Sequence, residues 1–448
     1  MKNKKYAFIT KLLLGVSILF VASSCKDDYD VEAGQKHTEP PVLVLSNPEN
    51  GATIAWDTKT VTFTFDRPVT IIDLEKVTID GVSVTAFSTS ENTLTLSLEG
   101  LGENAQYTLT IPKGNLKGIP GILNQEDITM QFSVGSGPGI INTLVMPNAS
   151  AEAKKVYAFL IENYKKKIIS GAMAKVNWNT EEADRIYRWT GKYPALNCFD
   201  YVHQYANWIN YKDTKVAEDW WNSNGLVAAM WHWNVPVTEG STDVAFYTKE
   251  TDFDITKALE AGTSENDRIM ADLDVLAENL LVLQAKNIPV IWRPLHEAAG
   301  GWFWWGAKGG DAYKSLWILM FNTLKDKGVN NLIWVWTTET NDAAWYPGDA
   351  YVDIIGRDIY DKETADITTE FTGIKNTYST KIVSLSECGS VSNISEQWAA
   401  GAQWSWFMPW YDYDATDESE HMHATKVFWV DAFATEAVIT RDEMPSLK

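Results

Sequence analysis

The stretch SENDRIMADLDVLAENLLVLQAKNIPVIWRPLHE, residues 264–297, holds one complete structural step. Its first part places Ile269, Leu273, Leu276, Leu280 and Leu283 on a single stripe at a period near 3.6, which predicts an amphipathic helix. Ser264 followed by Asp267 reads as a capping box that opens it. From Ile288 the pattern switches to an unbroken apolar run, predicting a fully buried strand over Val290 to Glu297. Helix then buried strand is the repeating step of a β/α architecture, and the strand ends in Arg, His and Glu, polar residues at a strand terminus.

The same rhythm recurs on both sides. Further strands are expected at Ile168 to Ala174, Tyr193 to Phe199, Leu226 to Trp233, Leu332 to Thr337, Val352 to Tyr360, Ile382 to Gly389 and Ala402 to Met408. Eight strands with intervening helices over about 300 residues fit a (β/α)8 barrel, whose chemistry sits at the C-terminal strand ends. No GxGxxG turn follows the first strand, which argues against an open dinucleotide-binding sheet. The barrel domain is expected over 142–440.

Upstream of it the period falls to two. Val61 to Phe65, Leu94 to Leu98, Tyr107 to Ile111 and Ile128 to Val134 alternate as half-buried strands do, and Pro48-Glu49-Asn50-Gly51 and Asp80-Gly81 supply turns. Roughly seven strands in residues 40–134 give sandwich spacing, and the region resembles a bacterial Ig-like domain. With Trp56 its single tryptophan, a spacer role suits it better than sugar binding. Gly135-Ser136-Gly137-Pro138-Gly139, within 135–141, reads as a linker.

The first 24 residues read as an export signal: Lys2, Lys4, Lys5 and Lys11 precede an apolar run from Leu12 to Ala22. That run is too short for a bilayer, which takes about 20 residues. Ser23-Ser24-Cys25 resembles the lipobox of bacterial lipoproteins, which implies acylation of Cys25. Lys26-Asp27-Asp28 resembles the signal that places such proteins on the outer face of the outer membrane, with residues 25–39 as a tether. Without the signal, 34 basic residues stand against 59 acidic ones, a net charge of −25. So acidic a surface repels phosphate backbones, which excludes nucleic acid as a partner and suits a neutral ligand. Beyond Cys25 only Cys198 and Cys388 remain, too few and too far apart for a zinc motif or a disulfide framework. His421 and His423 read as surface histidines; no metal and no cofactor are expected.

Trp231-His232-Trp233-Asn234, Arg293 to Glu297, Arg357-Asp358-Ile359-Tyr360 and Ser386-Glu387-Cys388 converge on one mouth if the barrel is right. Hydrolysis of a glycosidic bond needs one carboxyl to protonate the leaving oxygen and a second to attack or to activate water. Glu297 and Glu387 end the fourth and seventh strands and form the obvious pair. Trp302, Phe303, Trp304 and Trp305 follow the first of them, and aromatic faces pack well against sugar rings.

Trp292-Arg293-Pro294-Leu295-His296-Glu297 with Gly301-Trp302-Phe303-Trp304-Trp305-Gly306, together with Phe246-Tyr247-Thr248, Phe253-Asp254 and Ser386-Glu387, resembles glycoside hydrolase family 26. The resemblance spans about Asn142 to Phe433. It implies a retaining endo-β-1,4-mannanase, with β-mannan or mannooligosaccharide as substrate. It makes Glu297 the acid/base and Glu387 the nucleophile, with Tyr360 hydrogen-bonding the nucleophile. His232 and His296 would bind or position sugar, and Trp302 and Trp406 would pack against its rings. Arg293 and Asp358 would orient these groups without acting directly. Mixed-linkage glucan or xylan as substrate, and a glycan-binding barrel without hydrolysis, share the same fold and stay open.

Overall fold

The computed structural model describes residues 39–55, 58–137, 139–205, 208–412 and 423–448. Cys25 with the whole export signal, Trp56, Pro138 and His421 lie outside them. The chain divides into two compact units, Met1–Gly135 and Ser136–Lys448.

In the first unit, alternation sets the architecture. Thr60–Phe65, Thr93–Glu99 and Ile128–Val134 bury every second residue, so each strand offers one apolar face. One four-stranded sheet orders Leu43–Asn47, Thr60–Phe65, Thr93–Glu99 and Ser83–Ser90; a second orders Ala52–Ile54, Ile128–Val134, Gln106–Ile111 and Thr78–Ile79. Val61, Phe63 and Leu96 from one and Leu109, Met130 and Phe132 from the other share a single core. The sandwich has more strands than the seven expected, because pieces of two or three residues, such as Leu116–Gly118 and Ile122–Leu123, add a small third sheet.

The second unit is a closed parallel barrel. Its strands are β1 (Ile168–Met173), β2 (Leu196–Asp200), β3 (Leu226–Trp231), β4 (Val290–Pro294), β5 (Leu332–Thr338), β6 (Ile354–Tyr360), β7 (Ile382–Gly389) and β8 (Trp406–Pro409). They pair in sequence order, and β1 with β2 completes the ring. All eight expected strands are present, and their ends at Asp200, Trp231, Pro294, Tyr360 and Gly389 define the mouth. A short ninth strand, Val438–Ile439, pairs with the start of β1.

Helices α1 (Ala151–Asn163), α2 (Glu181–Thr190), α3 (Lys215–Asn222), α4 (Ser264–Gln284), α5 (Gly310–Asp326), α6 (Thr364–Thr377), α7 (Ile394–Ala399) and α8 (Lys426–Ala434) surround the strands. The stripe expected on α4 is its core face: Ile269, Leu273, Leu276, Leu280 and Leu283 are all fully buried, and trimming any leucine to alanine should cost about 2–5 kcal/mol. The cap differs by one residue from the sequence reading. Thr263, not Ser264, has extended backbone and accepts from the Asn266 N–H at 3.1 Å. Between β5 and β6 the expected helix is absent; a single 3-10 turn at Ala343–Trp345 stands in its place. A groove of about 330 Å³ opens there, lined by Thr338, Asn341, Arg357, Ile374 and Tyr378 among others. Among the described residues no helix is long and apolar enough to cross a membrane.

Candidate active site

The barrel delivers Glu297 through an abrupt turn. Pro294 has no N–H for the ladder and ends β4. Leu295 and Glu297 then adopt left-handed backbone at φ 51° and 50°, a conformation that costs non-glycine residues energy. Side chains from neighbouring elements hold this turn: Trp305 Nε1 donates to the His296 carbonyl at 2.9 Å and the Tyr313 hydroxyl to the Leu295 carbonyl at 3.2 Å. The motif therefore builds the turn that aims Glu297 over the mouth.

Glu387 arrives through a bulge. Arg357 pairs with Leu385 but Asp358 pairs with Glu387, so Ser386 is an extra residue on β7. Such bulges re-aim side chains. Here the result sets Glu387 beside Asp358, and Ser386 donates to Asp358 Oδ1 at 2.8 Å.

Arg293 ties the carboxylates together. It is 3% exposed, Nη1 donates to Asp358 Oδ2 at 2.7 Å and Nη2 donates to Glu387 Oε2. The planar guanidinium suits this bridging as an ammonium would not. Tyr360 donates to the other Glu387 oxygen, Oε1, at 2.6 Å, so both oxygens of Glu387 are held by donors. One carboxylate oxygen from each of Glu297, Asp358 and Glu387 lies within 4.8 Å of the other two.

This crowding separates the groups electrostatically. Burial, followed by the negative charges of Asp358, Glu387 and Glu339, pushes the Glu297 carboxyl up to about 9, against the pull of Arg293. Asp358 is also raised, by burial first and Glu387 in addition, with Arg293 opposing. Burial alone would lower Arg293, but Asp358 and Glu387 outweigh it and hold the guanidinium above its ordinary value. Tyr360 is raised by burial and then by the charge of Glu387, so its phenol remains a donor. Glu297 is thus a proton-bearing acid at neutral pH beside a carboxylate held by two donors, the division of labour that paired carboxyl catalysis needs.

The flanking residues fall into two groups. His232 lies over the mouth with Nδ1 2.6 Å from Asp200 Oδ2, and its backbone N–H donates to Asp200 Oδ1 at 3.0 Å. The ring contact orients the imidazole: an ionised carboxylate oxygen only accepts, so Nδ1 carries its proton toward Asp200, while the backbone contact holds the carboxylate in place. Asp200 was not singled out in the sequence, and a lone acid at the end of β2 offers no local motif; its position level with His232 at the strand tops is the only signal. His296 is buried against His232, with ring centroids 4.6 Å apart. Burial, then the charge of Arg293, hold its imidazole well below the ordinary range, so it is neutral. Its Nδ1 has no hydrogen-bond partner among the described residues.

Trp302 is 43% exposed and donates from Nε1 to Glu297 Oε2 at 3.0 Å, so it offers a free aromatic face beside the acid. Its neighbours do not join it. Trp304 and Trp305 are fully buried, and Trp304 Nε1 donates to the Trp233 carbonyl at 2.6 Å, so most of the aromatic run is core. Trp406 is a second correction. The eighth strand begins at Trp406 rather than Ala402, which places this residue at the strand's start, in register with Ile169 and 3% exposed, away from the mouth. The mouth receives Trp410 instead, its ring 5.7 Å from that of His232. His423 is also not a surface residue: its side chain is mostly buried beside Asp412 and Tyr360. Cys198 and Cys388 are buried free thiols.

Comparison with known proteins agrees with this geometry. Residues 145–443 match the model of glycosyl hydrolase family 26, and residues 37–134 match a bacterial Ig-like domain. A mannan endo-1,4-beta-mannosidase of Thermothelomyces thermophilus is 37% identical over 285 residues, covering 61% of this chain and 58% of that protein. Mannan endo-1,4-beta-mannosidase B of Piromyces sp. is 38% identical over 316 residues, covering 68% and 54%. The chain therefore spans little more than half the length of these relatives. Among solved structures, the GH26 domain of an endo-beta-mannanase/endo-beta-glucanase from Prevotella bryantii is 40% identical, covers 68% of this chain and 99% of that one, and superposes with a TM-score of 0.63. A beta-mannanase from a symbiotic protist of the termite Reticulitermes speratus, complexed with gluco-manno-oligosaccharide, is 38% identical with a TM-score of 0.62 and covers 69% of this chain and all of that one. With the family model spanning the whole barrel, this chain belongs to glycosyl hydrolase family 26.

Proposed function

We propose that the protein is a retaining endo-β-1,4-mannanase that works outside the cell on mannan-type polysaccharides, anchored to the outer membrane through an acylated Cys25. The observation that carries the hydrolytic reading is the carboxyl geometry: oxygens of Glu297 and Glu387 lie within 4.8 Å of each other, near the separation of about 5–5.5 Å that suits a retaining pair and too short to seat a water between nucleophile and sugar. The names of the relatives favour mannan over other β-glycans.

In this reading Glu387 attacks the anomeric carbon from a fixed position, since Arg293 and Tyr360 hold its two oxygens. As the bond from that carbon to the glycosidic oxygen breaks, Glu297 gives its proton to the departing oxygen. A glycosyl ester on Glu387 results. Its formation removes one negative charge beside Glu297, which lowers the affinity of Glu297 for a proton and fits it to take one from the incoming water. The hydroxyl so formed attacks the same carbon, frees Glu387, and leaves the product in its original β configuration. His232, oriented by Asp200, and the exposed face of Trp302 bind the sugars on either side.

The test is a panel of defined polysaccharides with analysis of early products. Release of new reducing ends from β-mannan, with a spread of oligosaccharide sizes, supports the proposal. No release from any glycan would make the barrel a binding protein, and cleavage of mixed-linkage glucan or xylan alone would overturn the substrate. Anchoring is tested separately: Cys25→Ala should move the protein from the membrane fraction to the medium, and unchanged fractionation would refute it.

A further inference from the structure

An acid–imidazole pair stands behind the tyrosine that holds Glu387. His423 Nδ1 lies 2.7 Å from Asp412 Oδ1, a contact that ties the imidazole to the carboxylate although it falls off the line of a well-directed hydrogen bond. The His423 carbonyl accepts from the Ser390 N–H at 2.9 Å, which fastens the residue to the end of β7, just beyond Glu387. Its ring stands edge-on to Tyr360, with centroids 5.8 Å apart and planes at 78°. Gly389 lies where the two rings meet: a Cβ there would come within 2.6 Å of His423 Cδ2 and 2.7 Å of Tyr360 Cδ1 and Cε1. Only glycine lets both rings close on the strand at that level.

The contacts form one line, Asp412 to His423 to Tyr360 to Glu387. The outer end is also built in: Asp412 is 8% exposed and lines a small cavity with the buried Glu182 and Arg185 of α2. Asp412 raises the pKa of His423, burial opposes it, and the charge of Glu387 adds to the rise. Nothing in the bond-making steps uses the imidazole, yet it is packed against Tyr360, which donates to Glu387 Oε1.

We propose that His423 is a positioning residue for the nucleophile, acting through the ring of Tyr360, with Asp412 fixing the imidazole in place; the inference rests on Glu387 being the nucleophile. Edge-to-face packing restricts where the phenol ring can sit, and so where its hydroxyl points. Without the imidazole, the ring gains room to swing away and the bond to Glu387 Oε1 is made only part of the time.

The experiment measures kcat and KM on mannan, together with the rate at which a 2-deoxy-2-fluoro-mannosyl fluoride labels the full chain, read by mass and located by peptide mapping. His423→Ala should lower kcat and the labelling rate about tenfold, the size of a lost ring contact, with KM within about twofold. In a Tyr360→Phe background the same change should cost no more than about twofold, because the hydroxyl it positions is already gone. His423→Phe, which keeps a ring without the imidazole nitrogens, should recover most of the loss, whereas His423→Leu, which fills the space without a ring, should not; the leucine variant also serves if the alanine variant does not fold. A rate for His423→Ala equal to that of the unmutated protein, an undiminished loss in the Tyr360→Phe background, or a phenylalanine variant as slow as alanine overturns the proposal. Label found on a residue other than Glu387 overturns the assignment of the nucleophile instead, so the two failures are told apart.

Discussion

Replacing Arg293 with methionine removes the cation that bridges Asp358 and Glu387 while keeping a similar apolar volume. In the folded protein Glu297, Asp358 and Glu387 present oxygens within 4.8 Å of one another, and Arg293 donates to two of the three. At that spacing two carboxylates repel by about 3 kcal/mol at an effective dielectric of about 20. Without the guanidinium the cluster should take up a proton near neutral pH, and the attacking group will be neutral for most of the time. Since about 1.4 kcal/mol is a factor of ten in rate, kcat/KM should fall on the order of a hundredfold. The residual activity should climb as pH rises across the neutral range, because alkali restores the missing charge. Arg293→Lys should fall between the two, a single point charge being unable to fork between Asp358 and Glu387. Folding should suffer as well, by about 3–5 kcal/mol, as expected when one partner of a buried ion pair is removed. The assay is initial rate against pH on mannan, with thermal unfolding of each variant as control. A methionine variant that keeps kcat/KM within about threefold, or that keeps the unmutated pH profile, would refute the reasoning.

Glu387→Ala should be almost inactive on every substrate, whereas Glu297→Ala should lose activity on mannan but keep much of it on aryl glycosides whose leaving group needs no proton; equal losses across leaving groups would show the roles misassigned. Because the Glu297 carboxyl is pushed up to about 9, the acid it supplies is present below that pH and lost above it, so hydrolysis of mannan should decline as pH rises through about 9 while cleavage of activated aryl glycosides declines less. Trp302→Ala removes both a sugar-facing ring and a donor to Glu297, so it should raise KM and also lower kcat, whereas Trp406→Ala, at the buried start of β8, should lower thermal stability and leave KM unchanged.

The barrel was legible because its strands are buried on both faces and read as apolar runs, with β7 at Ile382–Gly389 matching its expected bounds. The sandwich was legible for the opposite reason: Thr60–Phe65 and Thr93–Glu99 have one dry face and one wet one, and their residues alternate. The missing helix between β5 and β6 was not visible, since residues 339–353 carry no signal that separates a long loop from a short helix. Register was the other blind spot. Apolar residues from Ala402 onward hide where the eighth strand starts, and a shift of a few residues exchanged Trp410 for Trp406 at the mouth. Tryptophan count misled in a related way, because indoles such as Trp304 and Trp305 fill the core with their N–H groups bonded to backbone carbonyls. Asp200 and Asp412 escaped because an acid that orients a histidine is marked only by a contact across strands, to His232 in one case and His423 in the other.

The central claim is that Glu387 attacks the sugar directly while Glu297 serves first as acid and then as base, and the configuration of the first product tests it most directly. Proton NMR of mannooligosaccharide hydrolysis, recorded before mutarotation, should show the β anomer as the initial reducing end, the outcome of two successive inversions at one carbon. An initial α signal would mean that water attacks in a single step, which two carboxyl oxygens within 4.8 Å of each other leave no room for, and it would contradict the account.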